Sequence, residues 1–151
     1  MTARQAVPAP SPFEIWKTVI TQKYAEFNGR ARRAEYWWFV IINALIALAA
    51  SLLYIPSLGG GDEFRFGFLG GMVTFGLVVF WLAMIIPSIA VAVRRLHDTN
   101  KSGWMIFISL IPFIGGLILL VFMLIDGDVG DNQYGPSPKY AEVGTPETPA
   151  V

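Results

Sequence analysis

The chain of 151 residues is more apolar than a soluble domain of this length, with 54% hydrophobic and only 15% charged residues. Eleven basic and eleven acidic residues give a formal net charge of zero, so overall charge does not favour nucleic acid as a partner. The absence of cysteine excludes disulfides and cysteine nucleophiles, and the single histidine, His97, leaves little for a histidine metal site. The composition therefore predicts a membrane protein, and we expect neither a metal nor a cofactor.

The N-terminal residues 1–11 are small and proline-containing, and we predict that they form a disordered tail. Ser11, Pro12 and Glu14 have the spacing of a capping box, which predicts a helix over 12–28. Aromatic and apolar residues at spacings of three and four would form one face of this helix: Phe13, Trp16, Ile20, Tyr24 and Phe27. We predict that the helix lies in the membrane interface; the alternative is that it packs against the rest of the protein.

The first transmembrane helix is predicted over about 36–55. Arg30, Arg32 and Arg33 come just before a tyrosine and two tryptophans, a pattern typical of the place where a chain enters a membrane. The twenty residues 36–55 carry no charge, and a helix of that length spans about 30 Å of hydrocarbon. Asn43 is expected to form a hydrogen bond to another helix.

Residues 56–63 form a glycine-rich, acidic segment that we predict to be a flexible loop. It does not resemble a phosphate-binding loop, because no lysine-serine or lysine-threonine pair follows the glycines. The second transmembrane helix is predicted over 68–93, which is longer than a bilayer requires, so tilt or protrusion is expected. Pro87 is expected to kink this helix.

The second helix is predicted to continue through Asp98 into the headgroup region. Arg94 and Asp98 are four residues apart and are predicted to pair, whereas Arg95 is predicted to point toward lipid phosphates or another helix. The apolar stretch 104–125 has spanning length and is predicted to be a third transmembrane helix. Since it contains Pro112, the alternative is a re-entrant hairpin that breaks at this proline.

The remaining sequence is polar. Asparagine, glycine and proline are dense over 126–138, which predicts an ordered turn, and 139–151 is predicted to be a disordered tail. The aspartates do not match a calcium loop, because glycine and glutamate are absent from the required offsets. Together the patterns predict one membrane domain over 12–138, an all-α polytopic protein with three transmembrane helices preceded by an amphipathic interfacial helix.

The distribution of basic residues predicts the orientation. Six lysines and arginines precede the first predicted span and three lie between the second and third, whereas only Arg65 and Lys139 lie on the other side. Because cytoplasmic loops carry the excess of lysine and arginine, we predict a multi-pass protein of the plasma membrane with a cytoplasmic N-terminus. The segment 126–138 and the C-terminal tail would then lie outside the cytoplasm.

Three segments carry specific sequence patterns: FNGRARRAEYW at 27–37, VRRLHDTNKSGW at 93–104 and GDVGDNQYG at 127–135. They resemble the signature blocks of the bacterial inner-membrane family called domain of unknown function 805, and the resemblance extends over roughly 13–138. It implies a small protein of the bacterial inner membrane with no assigned activity. The chain differs from the family pattern at Asn100, where glycine is usual, and at Gln133, where a basic residue is common.

The first functional hypothesis is a binding or scaffold protein whose cytoplasmic arginines engage anionic lipid headgroups or a protein partner. Each basic residue near an anionic surface contributes about 1 kcal/mol. The candidate binding residues lie in the first two blocks: Arg30, Arg32, Arg33, Glu35, Arg94, Arg95, His97 and Asp98. The third block would supply a turn that resembles the family pattern: Gly130, Asn132, Tyr134 and Gly135. The alternative is that the arginines only set the topology.

Two other hypotheses remain open. A subunit of a small transporter or channel would need a homo-oligomer and polar residues inside the spans, which are few. A lipid-acting enzyme could use His97 as acid or base, but Asp98 points about 100° away on the same helix, so a carboxylate such as Glu35 would have to orient it. No catalytic constellation is evident, and we expect that the protein is not an enzyme. The expected partners are membrane lipids, further copies of the chain or other membrane proteins, and not nucleic acid.

Overall fold

The computed structural model describes residues 4–54 and 63–142. In chain order the elements are strand β1 (Arg4–Ala6), helices α1 (Pro12–Thr21), α2 (Arg33–Tyr54) and α3 (Glu63–Asp98), a 3₁₀ helix (Gly103–Leu110), helix α4 (Gly115–Leu124) and strand β2 (Tyr140–Glu142). The predicted glycine-rich loop lies outside the described residues except for its last residue, which begins α3. The outer parts of the two predicted tails, 1–3 and 143–151, also lie outside them.

Helices α2 and α3 pack against each other and form the body of the molecule. They contain 22 and 36 residues, which correspond to lengths of about 33 and 54 Å at 1.5 Å per residue. Within the described residues, two stretches are long and apolar enough to cross a membrane, Arg33–Leu52 and Gly70–Asp98. Most of their large apolar side chains are exposed, as expected of helices that face lipid and not water. Pro87 lies buried inside α3, which continues past it.

Helix α1 begins at the predicted capping box. The Ser11 hydroxyl accepts a hydrogen bond from the Glu14 amide, and the Glu14 carboxylate accepts one from the Ser11 amide at 2.9 Å, which confirms this prediction. Hydrogen bonds from the Ser11 hydroxyl and amide lower the pKa of the Glu14 carboxyl. The helix ends at Thr21, seven residues before the predicted end at 28, because the chain then turns back toward α3. The Tyr24 hydroxyl makes that contact, donating to the Ala83 carbonyl at 2.5 Å.

The buried face of α1 is narrower than the predicted aromatic face. Ile15 and Val19 are buried, and α1 packs on α2, whereas Phe13 is exposed. Helix α1 therefore packs against the rest of the protein, as in the alternative, and its place in the membrane interface stays a prediction. Trp16 links the two helices, since its Nε1 donates to Oδ1 of Asn43 at 3.2 Å. This bond confirms the predicted helix-to-helix role of Asn43.

The apolar stretch 104–125 forms a helical hairpin in place of the predicted third transmembrane helix. The 3₁₀ helix ends at Leu110, the chain reverses over 111–114, and α4 packs back against the 3₁₀ helix. Pro112 has no amide to continue a helix, and Phe113 takes the left-handed conformation with φ 67°. Each arm is about 15–16 Å long, half of a hydrocarbon core of about 30 Å. The prediction of a single spanning helix is therefore not confirmed, and the break lies at the proline named in the alternative.

Gly115 allows the two arms of the hairpin to approach. It is buried, and a Cβ at this position would overlap the carbonyl oxygen of Ile108 in the 3₁₀ helix. The neighbouring Gly116 has no atom within 4 Å of an added Cβ, so only the first glycine lies in the tight contact. The requirement for glycine is thus local to the point where the arms touch.

The first and last described segments of the chain pair with each other as two short strands. Strands β1 and β2 are antiparallel, with Arg4 opposite Glu142 and Ala6 opposite Tyr140. Both strands fall in segments predicted to be disordered tails, and they make the fold mostly helical and not all-α. Because two strands alone are marginal in water, a further anchor is needed. Arg32 supplies it by donating to the carbonyls of Val7 and Pro8, each at 3.2 Å.

Candidate functional site

The three sequence blocks meet at one end of α2 and α3. The Ala31 amide of the first block donates to the Arg94 carbonyl of the second at 2.9 Å. The Asp128 amide of the third block donates to the Asp98 carbonyl of the second, also at 2.9 Å. The predicted topology placed the third block across the membrane from the other two. The hairpin returns the chain instead, so that all three blocks lie together at this end of the two helices.

Asp98 is the centre of a buried arginine cluster, which we define as Arg30, Arg94, Arg95, Glu35 and Asp98. Oδ1 of Asp98 accepts from Arg30 Nε at 2.9 Å, and Oδ2 accepts from Arg95 Nη1 at 2.5 Å. The side chains of Asp98, Arg30 and Arg95 are 4%, 1% and 0% exposed. Because the surroundings exclude water, these charge-assisted bonds are strong and the carboxylate cannot be replaced by solvent.

Arg30 also binds the third block directly. Its Nη1 donates to the carbonyls of Gly130 at 2.7 Å and Gly135 at 3.3 Å, and its Nη2 donates to the Asp128 carbonyl at 2.6 Å. A guanidinium group has five N–H donors in a fixed plane, whereas lysine has three on one atom. Arginine is therefore the side chain that can hold a carboxylate and several carbonyls at once.

Arg95 binds the end of α4. Its Nη2 donates to the Ile125 carbonyl and its Nε donates to the Met123 carbonyl at 3.4 Å. The last carbonyls of a helix have no partner inside it, so the arginine satisfies groups that would otherwise be unpaired. Of the two alternatives predicted for Arg95, lipid phosphates or another helix, the structure shows the second, since this enclosed side chain binds the end of α4.

Arg94 pairs with Glu35 at the start of α2. The predicted ion pair between Arg94 and Asp98 is therefore wrong. Residues three apart on a helix are neighbours as well as residues four apart, and Arg95 takes the Asp98 carboxylate. Lys23 lies 3.8 Å from the same Glu35 oxygen. Within the described residues, Nε and Nη2 of Arg94 are buried and have no hydrogen-bond partner.

His97 is held between the first and third blocks. Its Nδ1 lies 3.1 Å from the Gly29 carbonyl, which can only accept, so the proton is on Nδ1. The imidazole stacks on the Tyr134 ring, with centroids 3.8 Å apart and planes at 3°. Nδ2 of Asn132 donates to the His97 carbonyl at 2.9 Å. The Glu35 carboxylate that the enzyme hypothesis would need beside His97 is bound to Arg94 instead.

The third block forms a short turn whose shape directs its carbonyls to Arg30. Asn132 Oδ1 accepts from the Tyr134 amide at 2.9 Å, and the Asn132 amide donates to the Gly135 carbonyl at 3.2 Å. Gly135 has φ 122°, which side chains rarely tolerate. A Cβ at Gly127 would overlap the Asp98 carboxylate, so this glycine permits the block to reach the cluster.

Four basic side chains surround the buried cluster on the accessible side, and we call them the basic rim: Lys23, Arg32, Arg33 and Lys139. Arg33 and Lys139 are 47% and 46% exposed, and they share the Asp126 carboxylate at 3.0 and 3.6 Å. Shallow cavities of about 330 and 200 Å³ open among the rim residues. Arg32 and Arg33 were predicted from the sequence as binding residues, whereas Lys23 and Lys139 were not. Lys139 lies in a segment that the sequence predicts to be disordered.

The predicted site residues therefore divide into two groups. The three arginines of the buried cluster and His97 are enclosed by the protein, and only Arg32 and Arg33 of the predicted arginines reach the accessible side. Among the residues that the structure describes, no group of three or more histidine, aspartate and glutamate side chains could hold a metal ion. What this face can do chemically is bind anions through the rim.

Comparison with known proteins places the three sequence blocks within one protein family. The family model described as "Protein of unknown function (DUF805)" matches residues 24–136, which include all three segments. The chain is 37% identical to Inner membrane protein YhaI of Escherichia coli strain K12 over 125 residues, 83% of this chain and 96% of that protein. It is 41% identical to Inner membrane protein YhaH of the same strain, over 82% of this chain and 96% of that protein. No solved structure matches the chain. The predicted family resemblance is confirmed.

Proposed function

Because the chain belongs to the family of proteins of unknown function called DUF805, and its relatives YhaI and YhaH are inner membrane proteins, we propose that it is a multi-pass inner-membrane protein that binds anionic lipid headgroups. The headgroups bind at the face formed by the three blocks. The observation that carries this proposal is the convergence of these blocks, with their basic residues, at one end of two membrane-length helices.

The proposed orientation follows from the same convergence. With the hairpin returning the third block, ten of the eleven lysines and arginines lie on the block side of α2 and α3, and only Arg65 lies toward their other end. Because lysine and arginine are concentrated in cytoplasmic segments, this side is the cytoplasmic one. Helices α2 and α3 cross the bilayer, the hairpin enters and leaves from the cytoplasm, and both described chain ends lie inside the cell.

The buried cluster and the basic rim have different tasks in this proposal. Arg30 and Arg95 use most of their donors within the protein, Arg94 binds Glu35, and together they hold the three blocks in place. The rim side chains are accessible and lie where the chain enters the headgroup region. Arg33 and Lys139 share one carboxylate, that of Asp126, so their pair carries one excess positive charge that a lipid phosphate can neutralise.

The proposal is tested by counting bound lipids. The protein is solubilised with an equimolar mixture of phosphatidylglycerol and phosphatidylcholine of matched acyl chains, and native mass spectrometry counts each lipid on the protein. The double variant Arg33→Gln/Lys139→Gln is expected to lower the phosphatidylglycerol preference about 30-fold, because each of the two basic residues removed near an anionic surface contributes about 1 kcal/mol.

The matched control is Lys17→Gln, which removes an exposed charge of α1 outside the rim. The control is expected to keep the lipid preference of the unaltered protein. An equal loss in the control and the double variant would contradict headgroup binding at the rim, and so would an unchanged preference in the double variant.

A further inference from the structure

A separate groove of about 470 Å³ lies beside His97, between α3 and the 3₁₀ helix. Its walls are mainly apolar and include Ile89, Val93, Ile106 and Phe107. No residue of this groove lines either cavity among the rim residues. It is therefore a second site, separate from the cavities among the rim residues.

The outer wall of the groove faces the surroundings of the helices. Trp104, Phe107 and Ile89 are 78%, 55% and 40% exposed. With α3 crossing the bilayer, as proposed above, these apolar side chains border the lipid at the level where α3 leaves it. The groove is thus entered from the lipid phase, and the molecules that reach it are amphiphiles.

The inner end of the groove is polar. His97 Nδ1 carries a proton bound to the Gly29 carbonyl, so the neutral ring presents a lone pair at Nε2. In the described part of the chain, no group donates a hydrogen bond to Nε2. His97 is one of the residues that line the groove, and an added Cβ at Gly103 would meet Val93 Cγ1 at 2.6 Å and Nε2 at 3.2 Å, so a side chain at this position would crowd the inner end. Ser102 also lines the groove, and because its oxygen accepts from the Trp104 amide, its own proton remains available.

We propose that this groove binds one hydrocarbon chain of a membrane lipid whose free hydroxyl donates to His97 Nε2 and accepts from Ser102. A hydroxyl group is both donor and acceptor, which matches this pair of partners, whereas a phosphodiester or ester oxygen cannot donate to Nε2. The volume lies in the range of small-molecule sites, about 300–1,000 Å³, which are mostly apolar with a few placed polar groups. The inference rests on the proposed membrane placement but not on headgroup binding at the rim.

The test uses a defined probe in neutral vesicles. The protein is reconstituted into phosphatidylcholine vesicles that contain a trace of monoacylglycerol with a diazirine in its acyl chain. After irradiation, mass spectrometry maps the cross-linked peptides. We expect labelling of the segments around Ile89 and Trp104–Phe107 that an excess of ordinary monoacylglycerol removes.

Two variants on the exposed face of α3 separate the groove from the general lipid surface. Ile89→Trp fills the groove and is expected to lower labelling at least about fivefold. Ile85→Trp, one turn earlier and outside the groove, is expected to leave it unchanged. Both positions are exposed, so neither substitution disturbs the packed interior.

The hydroxyl is tested on the ligand and not on the protein. The dimethyl ether, in which both free hydroxyls of monoacylglycerol are methylated, is expected to compete about three- to tenfold more weakly than the free alcohol, as the loss of a buried hydrogen bond implies. Equal competition by the two compounds would overturn the role of His97.

Labelling spread evenly along α2 and α3 would overturn the groove as a lipid site. Dimers in native mass spectrometry that Ile89→Trp dissociates and Ile85→Trp does not would also overturn it, because a second copy of the chain would then be the occupant. Since the vesicles hold no anionic lipid, failure of headgroup binding at the rim leaves the expected labelling unchanged. Both proposals assume that α2 and α3 cross the bilayer. Extraction of the protein from the vesicles by alkaline carbonate would contradict this assumption and not the groove or the rim separately.

Discussion

Asp98 is one carboxylate between two enclosed guanidinium groups. It is the acceptor that neutralises both Arg30 and Arg95 in the buried cluster. Desolvating three charges is costly, and the bonds from Arg30 and Arg95 compensate only while the acceptor is present. When one partner of a buried ion pair is removed, the other charge remains without compensation in a medium of low dielectric constant.

Replacement of Asp98 by alanine is therefore expected to lower the free energy of unfolding by about 3–5 kcal/mol, measured by denaturant titration in detergent micelles. Asp131→Ala is the control, because Asp131 is an exposed carboxylate of the same turn region. Its effect is expected to stay within about 0.5 kcal/mol. Equal unfolding midpoints for the two variants would show that the cluster does not stabilise the fold.

At the residue scale, the sequence predicted which side chains matter better than it predicted their partners. Spacing along α3 allows Asp98 to pair with Arg94 or with Arg95, and only the position of α2 decides between them. Glu35 reaches Arg94 from another helix, a contact that no local pattern contains. Lys139 joins the rim because strand β2 is tied to β1, which composition alone predicted to be disordered.

The hairpin shows why hydropathy and length are insufficient to identify a spanning helix. Residues 104–125 have spanning length, and the same apolar composition suits one helix that crosses the bilayer or two arms that enter and return. The distinguishing signals are single residues: Pro112, which cannot continue a helix, and Gly115, where the arms touch. Phe113, with a positive φ, gives no sign of this conformation in its residue type.

The contact between the arms can be tested with two neighbouring glycines. Gly115→Ala places a methyl group on the Ile108 carbonyl and is expected to lower the thermal midpoint in micelles by several degrees. Gly116→Ala meets open space and is expected to leave the midpoint unchanged or raise it slightly, since alanine favours helix over glycine. The opposite order of the two midpoints would contradict the hairpin packing.

At the scale of the whole molecule, the number of membrane crossings decides whether the blocks can act together. Three crossings would separate the third block from the other two, and two crossings with a hairpin place them side by side. Local sequence patterns predicted the long helices well because length and hydropathy carry that information. They could not predict the return of the chain, since it depends on packing between segments far apart in sequence.

Cysteine labelling distinguishes the two topologies, because the chain has no native cysteine. Single variants Ser57→Cys, Ser102→Cys and Asp131→Cys are treated in intact cells with a membrane-impermeant thiol reagent. Only the cysteine at position 57 is expected to react before the membrane is permeabilised. Reaction at position 131 in intact cells would instead support three crossings. Asp131 is exposed, so a cysteine at this position is accessible to the reagent once it can reach that side.

The half-length hairpin also gives the molecule an unequal cross-section in the two leaflets. In the proposed orientation the cytoplasmic leaflet accommodates α2, α3 and both hairpin arms, while the outer leaflet accommodates only α2 and α3. Phe113, 98% exposed at the tip, would then contact acyl chains near the bilayer midplane. Such a wedge expands one monolayer more than the other, so the protein fits best where the cytoplasmic surface of the membrane is flat or convex and least well where that surface is strongly concave.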